Sequence, residues 1–534
     1  FLDPVKIAIH LGDVLQGRYH VFRKLGTGGQ CTVWLARDKC VEERRYVALK
    51  VFSTQDRKLD QVSVEQTLAS RLGGQEESHP GRNHVEVALD HFEIQDPNTE
   101  THLVKVLEPL GRNLAVIIED AADRRAELND ADGWLGKAVE GDGWSIEFAK
   151  RACYQVLLGL DYLHARQVAH RDVRPGNICV SLRMNMPKLS ENDIQEQVWQ
   201  DEEPDEDKSA SGEGDAGNDA FWEEGSEWNS GWDSEDPRPI SPRTSMIMEN
   251  AKLCRQLTEE QWAEHRADPG DASAEPHTPA WNKANFVKST DWIELLHRSD
   301  RQPTKDGEIR YTVAGAPLID DGDNPSIICD GNATNNPPPS RMVLVDLGFA
   351  CPFSECENRK LVNPLAFTPP EGLLPGKDGL GVPCSHHGDV FSLGLLFWNA
   401  VMLRQLTEPT FSFPDDDANK TKAKSQLMRD LAQRVGPFPA ELRQFWPNAD
   451  RFVDVEGRAV DNFMDIYGEE VQPGDFEYGD IWYQGRQRKP MDMSDDELEI
   501  FVGLVLSMLR WKAAERPSTA ELLEHEWFKE LREE

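Results

Sequence analysis

The sequence is poor in cysteine, and no two of its cysteines stand in a C-x-x-C pair. Nine cysteines are spread over 534 residues. Structural zinc sites usually need closely spaced cysteine or histidine ligands, so zinc is not expected. Small secreted domains carry a denser, even-numbered set of cysteines that pair as disulfides. The cysteine content therefore indicates a protein of a reducing compartment.

Long apolar segments are also missing. The sequence opens with Phe1, and no basic stretch followed by an apolar run appears near it, so no secretory signal is predicted. The most apolar runs, at 391–402 and 500–509, are shorter than the roughly 20 residues that a membrane-spanning helix needs. We expect both runs to be core helices of a soluble intracellular protein.

Basic residues are scarce compared with acidic ones. The chain has 58 Lys and Arg against 95 Asp and Glu, and its formal net charge is −37. The phosphates of nucleic acids and of anionic lipids would be repelled, which argues against direct binding to nucleic acid or to a membrane. The charge suits a basic partner or substrate, although acid that only keeps an exposed segment in solution gives the same balance.

Hydrophobic patterning predicts strands first and helices later. Aromatic and β-branched residues separated by turn signals predict strands at 19–25, 32–38 and 45–52. Apolar residues at helical spacing predict helices at 62–72 and 145–164. A second folded part is predicted to start with a strand at 342–344.

A strongly acidic stretch interrupts the chain. Residues 191–235 contain 17 acidic residues and one basic residue, Lys208, and small or polar residues fill most of the gaps. Such a segment buries too little apolar surface to offset its ordering entropy, so disorder is predicted. Four tryptophans within it are more than a plain spacer needs. A helix is predicted at 246–266 and a loop at 321–340.

Two motifs in the first part are typical of nucleotide binding. The run GTGGQCTV at 26–33 lies between two predicted strands, where a glycine-rich turn lets backbone N–H groups approach phosphates. An ordinary tight turn gives the same pattern. Lys50 lies in the apolar run VALK, where a buried ammonium group needs a partner. Glu65 of the 62–72 helix is the candidate partner, and an edge-strand lysine that faces water is the alternative.

The strongest motif is HRDVRPGN at 170–177, directly after the predicted 145–164 helix. It matches the pattern H-R-D-L-x-x-x-N at the positions that carry phosphoryl-transfer chemistry. Asp172 would accept the proton of a hydroxyl group, and Asn177 would bind Mg²⁺. Asp346, which follows the predicted 342–344 strand and precedes a glycine, would be a second Mg²⁺ ligand.

Together with PPE at 369–371, DVFSLG at 389–394 and ERP at 515–517, these motifs resemble the eukaryotic protein kinase family over residues 19–182 and 341–530. The resemblance implies an α+β, bilobal protein kinase fold. Its N-lobe would be an antiparallel β-sheet and its C-lobe mainly α-helical, and a long, largely disordered acidic insert would interrupt the fold. It also implies that ATP and Mg²⁺ are bound, with the catalytic and phosphate-binding side chains gathered around the magnesium-bound triphosphate.

The resemblance further implies a role for each matching residue. The implied catalytic residues are Asp172, Lys50, Arg174 and Asn177, and the implied metal ligands are Asn177 and Asp346. The implied ATP-binding residues are Leu25, Gly26, Thr27, Gly28, Gly29, Gln30, Cys31, Thr32, Val33, Ala48, Lys50, Glu65, Glu108 and Leu110. Residues 107–110 would form the hinge that receives adenine. Glu371 and Arg516 would form a buried structural ion pair, and Asp389 would anchor the catalytic loop.

The long separation between Asn177 and Asp346 resembles the spacer of the SR-protein kinase family. The runs CTVWL at 31–35, DLGFAC at 346–351 and VGPFP at 435–439 are similar to motifs of that family. The resemblance implies a non-specific protein serine/threonine kinase for Arg-Ser-rich, splicing-factor-like substrates, and so a role in mRNA splicing regulation. An acidic enzyme would attract such basic substrates.

Several residues depart from the kinase pattern. Arg174 stands where a lysine is usual, and Pro364 stands where an activation-segment threonine is usual. Pro369 replaces the alanine of A-P-E, and Lys420, Lys422 and Lys424 follow the acidic run at 415–417, where the family builds an acidic docking groove. The alternative function is therefore a weak or inactive pseudokinase scaffold that binds nucleotide, and partners through the insert.

The predicted organisation has five parts. Residues 1–18 form an N-terminal extension, 19–110 the N-lobe, 111–183 the first part of the C-lobe, 184–340 the acidic spacer and 341–534 the rest of the C-lobe. The insert is predicted to bind cytoplasmic partners, to cover the substrate groove, or to act only as a linker. We expect a monomer in the cytoplasm and nucleus.

Overall fold

The computed structural model describes most of the two predicted folded parts. The described residues are 7, 9, 12–27, 31–41, 44–53, 79–95, 101–129, 144–182, 293–296, 310–313, 341–359, 363–374, 384–407, 417–460 and 480–533. The predicted helices at 62–72 and 246–266, the predicted loop at 321–340 and most of the insert lie outside them. The chain divides into two compact units, of which the first comprises Phe1–Lys58, Val87–Leu110 and Met184–Ile319 and the second the remainder. The predicted domain bounds stay a prediction.

The first unit is built on a six-stranded sheet in the order β1-β2-β3-β4-β6-β5. Its strands are β1 Val14–Leu15, β2 Tyr19–Thr27, β3 Cys31–Asp38, β4 Arg45–Phe52, β5 Asp90–Gln95 and β6 Thr101–Leu107. Every pairing that joins them is antiparallel. The three strands predicted between 19 and 52 are confirmed, the third with unchanged bounds, because β-branched and aromatic side chains alternate along them.

The core of this sheet comes from large apolar side chains on neighbouring strands. Trp34 and Leu49 face each other across β3 and β4, and both are almost fully buried. The rings of Tyr19 and Phe92 stack with centroids 5.4 Å apart. At the edge, the guanidinium of Arg18 donates to both oxygens of Asp38, at 2.9 and 2.8 Å.

The second unit is mainly helical. Its helices are α1 Leu114–Asn129, α2 Ile146–His164, α3 Pro370–Leu373, α4 His387–Met402, α5 Asp417–Val435, α6 Ile481–Arg488, α7 Asp495–Met508, α8 Thr519–Leu523 and α9 Lys529–Glu533. Ser145 caps α2 by accepting from the N–H of Phe148 at 3.2 Å, an arrangement that satisfies one of the free donors of the first turn. The predicted 145–164 helix is confirmed.

The middle of this unit is a hydrophobic core in which α2, α4 and α7 pack together. Residues 388–402 of α4 are all buried, and Trp398 and Phe501 stack across α4 and α7. The apolar runs at 391–402 and 500–509 are thus core helices, as predicted. None of the helices that the structure describes combines the length and hydrophobicity of a membrane span.

Short strands complete the second unit and bring distant parts of the sequence together. They are β7 Leu110–Asn113, β8 Val168–Ala169, β9 Ile178–Ser181, β12 Met342–Leu344 and β13 Cys351–Pro352. Antiparallel pairing of β9 with β12 places Ile178 opposite Leu344, and the N–H of Ser181 donates to the carbonyl of Arg341 at 2.8 Å. Ser181 and Arg341, which flank the predicted insert, are therefore hydrogen-bonded neighbours.

One further strand pair lies inside the predicted spacer. Strands β10 Ile293–Leu296 and β11 Arg310–Val313 pair antiparallel. No element is predicted here from the sequence, because two four-residue strands among polar residues give too weak a periodic signal.

Candidate active site

The backbone of the catalytic loop at 170–177 is held by one buried carboxylate. Asp389, on α4, accepts from the N–H groups of His170 and Arg171, both at 2.7 Å, and from the ring N–H of His164 at 3.0 Å. Burial alone would raise the pKa of Asp389, but the hydrogen bonds from His164 and the backbone lower that pKa below its ordinary value. The predicted anchoring role of Asp389 is therefore confirmed.

This anchor holds the loop in an uncommon backbone conformation. Arg171 has a φ of 70°, in the left-handed region that residues other than glycine seldom adopt. Its side chain donates to the carbonyl of Phe349 at 3.2 Å. Such backbone strain persists only where the surroundings fix it, and it concentrates at functional sites.

Asp172 lies at the centre of the loop with only 4% of its surface exposed. Its Oδ2 accepts from the amide nitrogen of Asn177 at 2.6 Å and from Nε of Arg174 at 3.2 Å. Its Oδ1 is buried and has no hydrogen-bond partner within the described residues. A buried carboxylate oxygen without a partner is costly, so this oxygen is suited to accept from a group that binds here.

Asn177 and Asp346 come together through the pairing of β9 with β12. The N–H of Val345 donates to the carbonyl of Asn177 at 2.9 Å, which fixes the residue before Asp346 against Asn177. The amide nitrogen of Asn177 already donates to the backbone carbonyl of Asp172 at 2.9 Å and to its carboxylate. The remaining polar atom of that side chain is an oxygen, the atom type that Mg²⁺ prefers. Asp346 has a φ of 66°, a second left-handed residue in this site.

His170 connects the two loops, a role that the sequence analysis did not assign. Its Nδ1 accepts from the N–H of Asp172 at 3.2 Å, so its Nε2 carries the proton and donates to the carbonyl of Val345 at 3.0 Å. The ring is buried. The motif was the only signal in the sequence, since the carbonyl that receives this bond lies 175 residues away.

Arg174 folds back over its own loop. Its Nε contacts Asp172, and its Nη1 lies so near Gly176 that a Cβ atom placed there would be 2.4 Å from it. Because position 176 has no side chain, the guanidinium group fits in this place. The arginine is recognisable in the sequence as a departure from the kinase pattern, whereas nothing in the sequence marks Gly176 as the residue that accommodates it.

The first unit carries the predicted nucleotide-binding residues on its strands. Leu25, Gly26 and Thr27 end β2, and Cys31, Thr32 and Val33 begin β3. On β4, Ala48 is opposite Leu107 and Lys50 is opposite Val33, with the Lys50 ammonium 5.5 Å from the ring centroid of Phe52. Glu108 is exposed between β6 and β7, and Leu110 begins β7. Gly28, Gly29, Gln30 and Glu65 lie outside the described residues.

The predicted structural ion pair is confirmed. Arg516 donates to both oxygens of Glu371 at 2.8 Å, and both side chains are almost fully buried. The same guanidinium also donates to the carbonyls of Arg510 and His387, at 2.9 and 3.0 Å. It lies 4.9 Å from the ring centroid of Phe391. All this fixes α3 against the start of α4.

Pro364 stands where an activation-segment threonine is usual, but another threonine, Thr368, orders this segment. Pro364 precedes a short helical turn at Leu365–Phe367, and Thr368 donates its hydroxyl to the carbonyls of Asn363 and Pro364 at 3.1 and 3.0 Å. The hydroxyl of Ser392, on α4, donates to the carbonyl of Phe367 at 2.8 Å. Pro364 therefore takes part in the local turn, since its carbonyl accepts the hydrogen bond from Thr368.

The donor set fits a magnesium ion that arrives with a phosphate ligand. Within the described ranges no cluster of three or more His, Cys, Asp or Glu side chains is arranged to hold a metal alone. Mg²⁺ commonly takes one or two carboxylates and completes its shell with water and substrate phosphates. One carboxylate at Asp346 and one amide oxygen at Asn177 match that requirement.

Comparison with known proteins shows what part of this chain is similar to. Residues 19–207 match the protein kinase domain. SRSF protein kinase 3 from Homo sapiens is 35% identical over 176 residues, which are 33% of this chain and 27% of that protein. Protein kinase dsk1 from Schizosaccharomyces pombe is 32% identical over 33% of this chain and 28% of its own length. Serine/threonine-protein kinase SKY1 from Saccharomyces cerevisiae is 32% identical over 31% of this chain and 20% of its own length.

These alignments span less than a third of each relative. A solved crystal structure of a kinase domain aligns over 98% of this chain and 99% of its own, with a TM-score of 0.48 and 16% identity. At that similarity the structural alignment carries no argument about the fold. Over residues 19–207 the domain match confirms the kinase fold predicted from the motifs. The chain therefore matches the protein kinase domain over those residues and resembles the SR-protein kinases.

Proposed function

We propose that this chain is an ATP-dependent protein serine/threonine kinase whose catalytic base is Asp172. The observation that supports this most is the state of its carboxylate. One oxygen is fixed by Asn177 and Arg174, and the other is buried and has no partner among the residues that the structure describes. A base for phosphoryl transfer needs this combination of a fixed orientation and one acceptor kept for the incoming hydroxyl.

In the proposed reaction, a serine or threonine hydroxyl of the substrate donates its hydrogen bond to Oδ1 of Asp172. The hydroxyl oxygen attacks the γ-phosphorus of ATP as the bond from that phosphorus to the β-phosphate oxygen breaks. The hydroxyl proton passes to Asp172, and ADP leaves. Arg174, beside the carboxylate, would bind an oxygen of the transferred phosphoryl group as a lysine does in related enzymes.

Mg²⁺ would be held by Asn177 and Asp346, and it would neutralise charge on the phosphates. The phosphates would also be bound by Lys50 and by the backbone of the glycine-rich run at 26–33, and adenine by residues 107–110. The role of Glu65 as the partner of Lys50 belongs to the same proposal. The β2–β3 and β3–β4 pairings support it, because they present Gly26 and Lys50 on either side of Val33.

We further propose that the substrates are basic proteins rich in Arg-Ser repeats. The net charge of −37 favours encounter with a basic chain, and a human relative is named SRSF protein kinase 3. Lys424, which departs from the acidic pattern near 415–417, donates its ammonium to the carbonyl of Gly372 at 3.2 Å. It therefore serves the packing of α5 against α3. We place the activity in the cytoplasm and nucleus, and assign partner binding to the insert.

Transfer of labelled γ-phosphate from ATP to an Arg-Ser peptide tests the proposal. Asp172→Ala should lower the rate about 10²–10⁴-fold, the usual contribution of a general base. Asp495→Ala is the matched control, since that carboxylate is 84% exposed at the start of α7. An acceptor peptide with its arginines replaced by glutamate should be phosphorylated far more slowly.

The alternative is a pseudokinase that binds nucleotide without transferring phosphate. Arg174 is the residue that favours it, because its contact with Asp172 occupies part of the catalytic carboxylate. Equal, background-level transfer by the wild type and by Asp172→Ala, together with retained ATP binding, would establish this alternative. Transfer by the wild type alone excludes it.

A further inference from the structure

Two cysteines lie side by side at the edge of the catalytic loop. Cys351 is on β13, which pairs with β8, and it stands opposite Ala169, the residue before His170. Cys356 lies five residues later in the short helical turn Phe353–Asn358. Both side chains are almost fully buried, at 0% and 1% exposure, and their sulfur atoms are 3.6 Å apart.

Their distance and their surroundings suit a reaction between the two sulfurs. A disulfide bond is about 2.05 Å long, so a movement of about 1.5 Å would join them. The hydrogen bond between the two sulfurs lowers the pKa of Cys351, and the positive charge of Arg171 adds to this, while the same contact raises the pKa of Cys356. Cys351 is thus the sulfur that reacts as a thiolate, and Cys356 the one that resolves the product.

The turn that holds Cys356 lies at the surface. Its neighbours Ser354 and Glu357 are exposed, so a small displacement of this turn admits a small oxidant. Cys153, in contrast, is enclosed within α2, where burial raises the pKa of its thiol.

We propose that Cys351 and Cys356 form a reversible disulfide on exposure to a peroxide. The thiolate of Cys351 attacks one oxygen of hydrogen peroxide and the O–O bond breaks, which yields a sulfenic acid on Cys351 and a hydroxide ion that becomes water by taking up the proton lost from the thiol. The thiol of Cys356 then attacks that sulfur, the S–O bond breaks, a second water leaves and the S–S bond remains. Two electrons pass from the two sulfurs to the peroxide, and a dithiol reductant reverses the process.

The bond would act on the catalytic loop through Phe353, one of the four residues between the two cysteines. The N–H of Phe353 donates to the carbonyl of Gln167 at 2.9 Å, and its ring stacks on His386 with centroids 3.7 Å apart. The same ring meets His164 edge-on, and His164 donates to Asp389, the residue that holds the loop. Drawing Cys356 toward Cys351 shifts this stack, so we expect oxidation to lower phosphoryl transfer. This consequence rests on the proposed kinase function, whereas the disulfide itself does not.

Mass spectrometry of the full chain tests the bond directly. Cleavage after arginine gives one peptide, 342–359, that holds both cysteines and no internal Lys or Arg. After peroxide treatment and blocking of free thiols, this peptide should be unblocked and lighter by two hydrogen atoms. Dithiothreitol should restore two blockable thiols. Recovery of the peptide with both thiols blocked, or with sulfinic or sulfonic acids instead of a disulfide, would overturn the proposal.

Variants separate this result from failure of the kinase assay. In Cys356→Ser, Cys351 should be oxidised to a sulfinic or sulfonic acid, from which dithiothreitol does not regenerate the thiol. Cys40→Ser, at an exposed cysteine, should behave like the wild type. In the wild type, activity lost with peroxide should return with dithiothreitol in step with the mass of the peptide. If no transfer is seen before oxidation, the proposed function fails and the mass result still decides the disulfide.

Discussion

Replacing Gly176 with alanine would test how Arg174 is positioned. The new methyl carbon would lie 2.4 Å from Nη1 of Arg174, whereas carbon and nitrogen atoms in contact stay about 3.4 Å or more apart. The guanidinium must therefore move by about 1 Å. It can do so without moving the backbone, because the Arg174 side chain is 34% exposed. The fold should be kept.

The size of the effect follows from the bond that this movement breaks. Nε of Arg174 is 3.2 Å from Oδ2 of Asp172, so a further 1 Å takes it beyond hydrogen-bond range. Hydrogen bonds to charged groups contribute about 1.5–3 kcal/mol, and solvent around Arg174 reduces this to about 1–2 kcal/mol. If the contact orients the base during transfer, kcat/KM should fall by about 5- to 30-fold.

Steady-state kinetics with an Arg-Ser peptide would measure this fall. Gly503→Ala is the control, since that glycine is on α7 and a Cβ there meets nothing within 4 Å. Arg174→Lys introduces the residue usual in related enzymes and removes the guanidinium, so adding Gly176→Ala to Arg174→Lys should not lower kcat/KM further. The reasoning is refuted if Gly176→Ala has wild-type kinetics or if the two effects add in full.

Three further predictions concern stability. Arg516→Met should lower the free energy of unfolding by about 3–5 kcal/mol in urea titrations, since it leaves Glu371 buried and unpaired. Arg458→Met, at an ion pair whose arginine is 65% exposed, should lower the free energy of unfolding far less, and equal losses would contradict the argument. Burial, with the charges of His387 and His164, lowers the pKa of His386 from 6.5 to about 4, so only the unfolded chain takes up a proton there between these values. The free energy of unfolding should therefore fall as the pH drops from 6.5 to about 4. The variant His386→Phe keeps the ring stack but cannot be protonated, so its melting temperature should fall less than that of the wild type between neutral pH and about pH 5. An equal fall in both proteins would exclude His386 as the cause. Deletion of 190–335 should leave one cooperative melting transition, because Ser181 and Arg341, which flank that segment, are hydrogen-bonded neighbours beside the paired strands β9 and β12; loss of the transition would show that the insert is needed for folding.

Local patterns in the sequence predicted the elements that carry strong periodicity. The alternation in 45–52 gave the bounds of β4, and helical spacing with Ser145 as a cap gave α2. Motifs of the resembling family supplied pairs that no periodicity reveals, such as Glu371 with Arg516.

The features that could not be predicted from the sequence depend on contacts between residues far apart in the chain or on the direction of a side chain. The contact of His170 with Val345 joins residues 175 positions apart, and no local sequence pattern near either residue predicts it. The fit of Arg174 over Gly176 depends on how one side chain turns. The approach of Cys351 to Cys356 depends on a sharp turn after Pro352, which spacing alone does not fix.

The hydrogen bonds between Ser181 and Arg341 have a consequence for chain length. The N–H of Ser181 donates to the carbonyl of Arg341 at 2.8 Å, and the N–H of Arg341 donates to the hydroxyl oxygen of Ser181 at 2.9 Å. The 159 residues between them close a loop, and each doubling of loop length costs only about 0.6 kcal/mol in closure entropy. Closing this 159-residue loop therefore costs only about 2.4 kcal/mol more in closure entropy than closing a ten-residue loop. The junction can therefore tolerate growth, shortening or grafting of a foreign domain with adjacent termini, while Asn177 and Asp346 stay in register on either side of it.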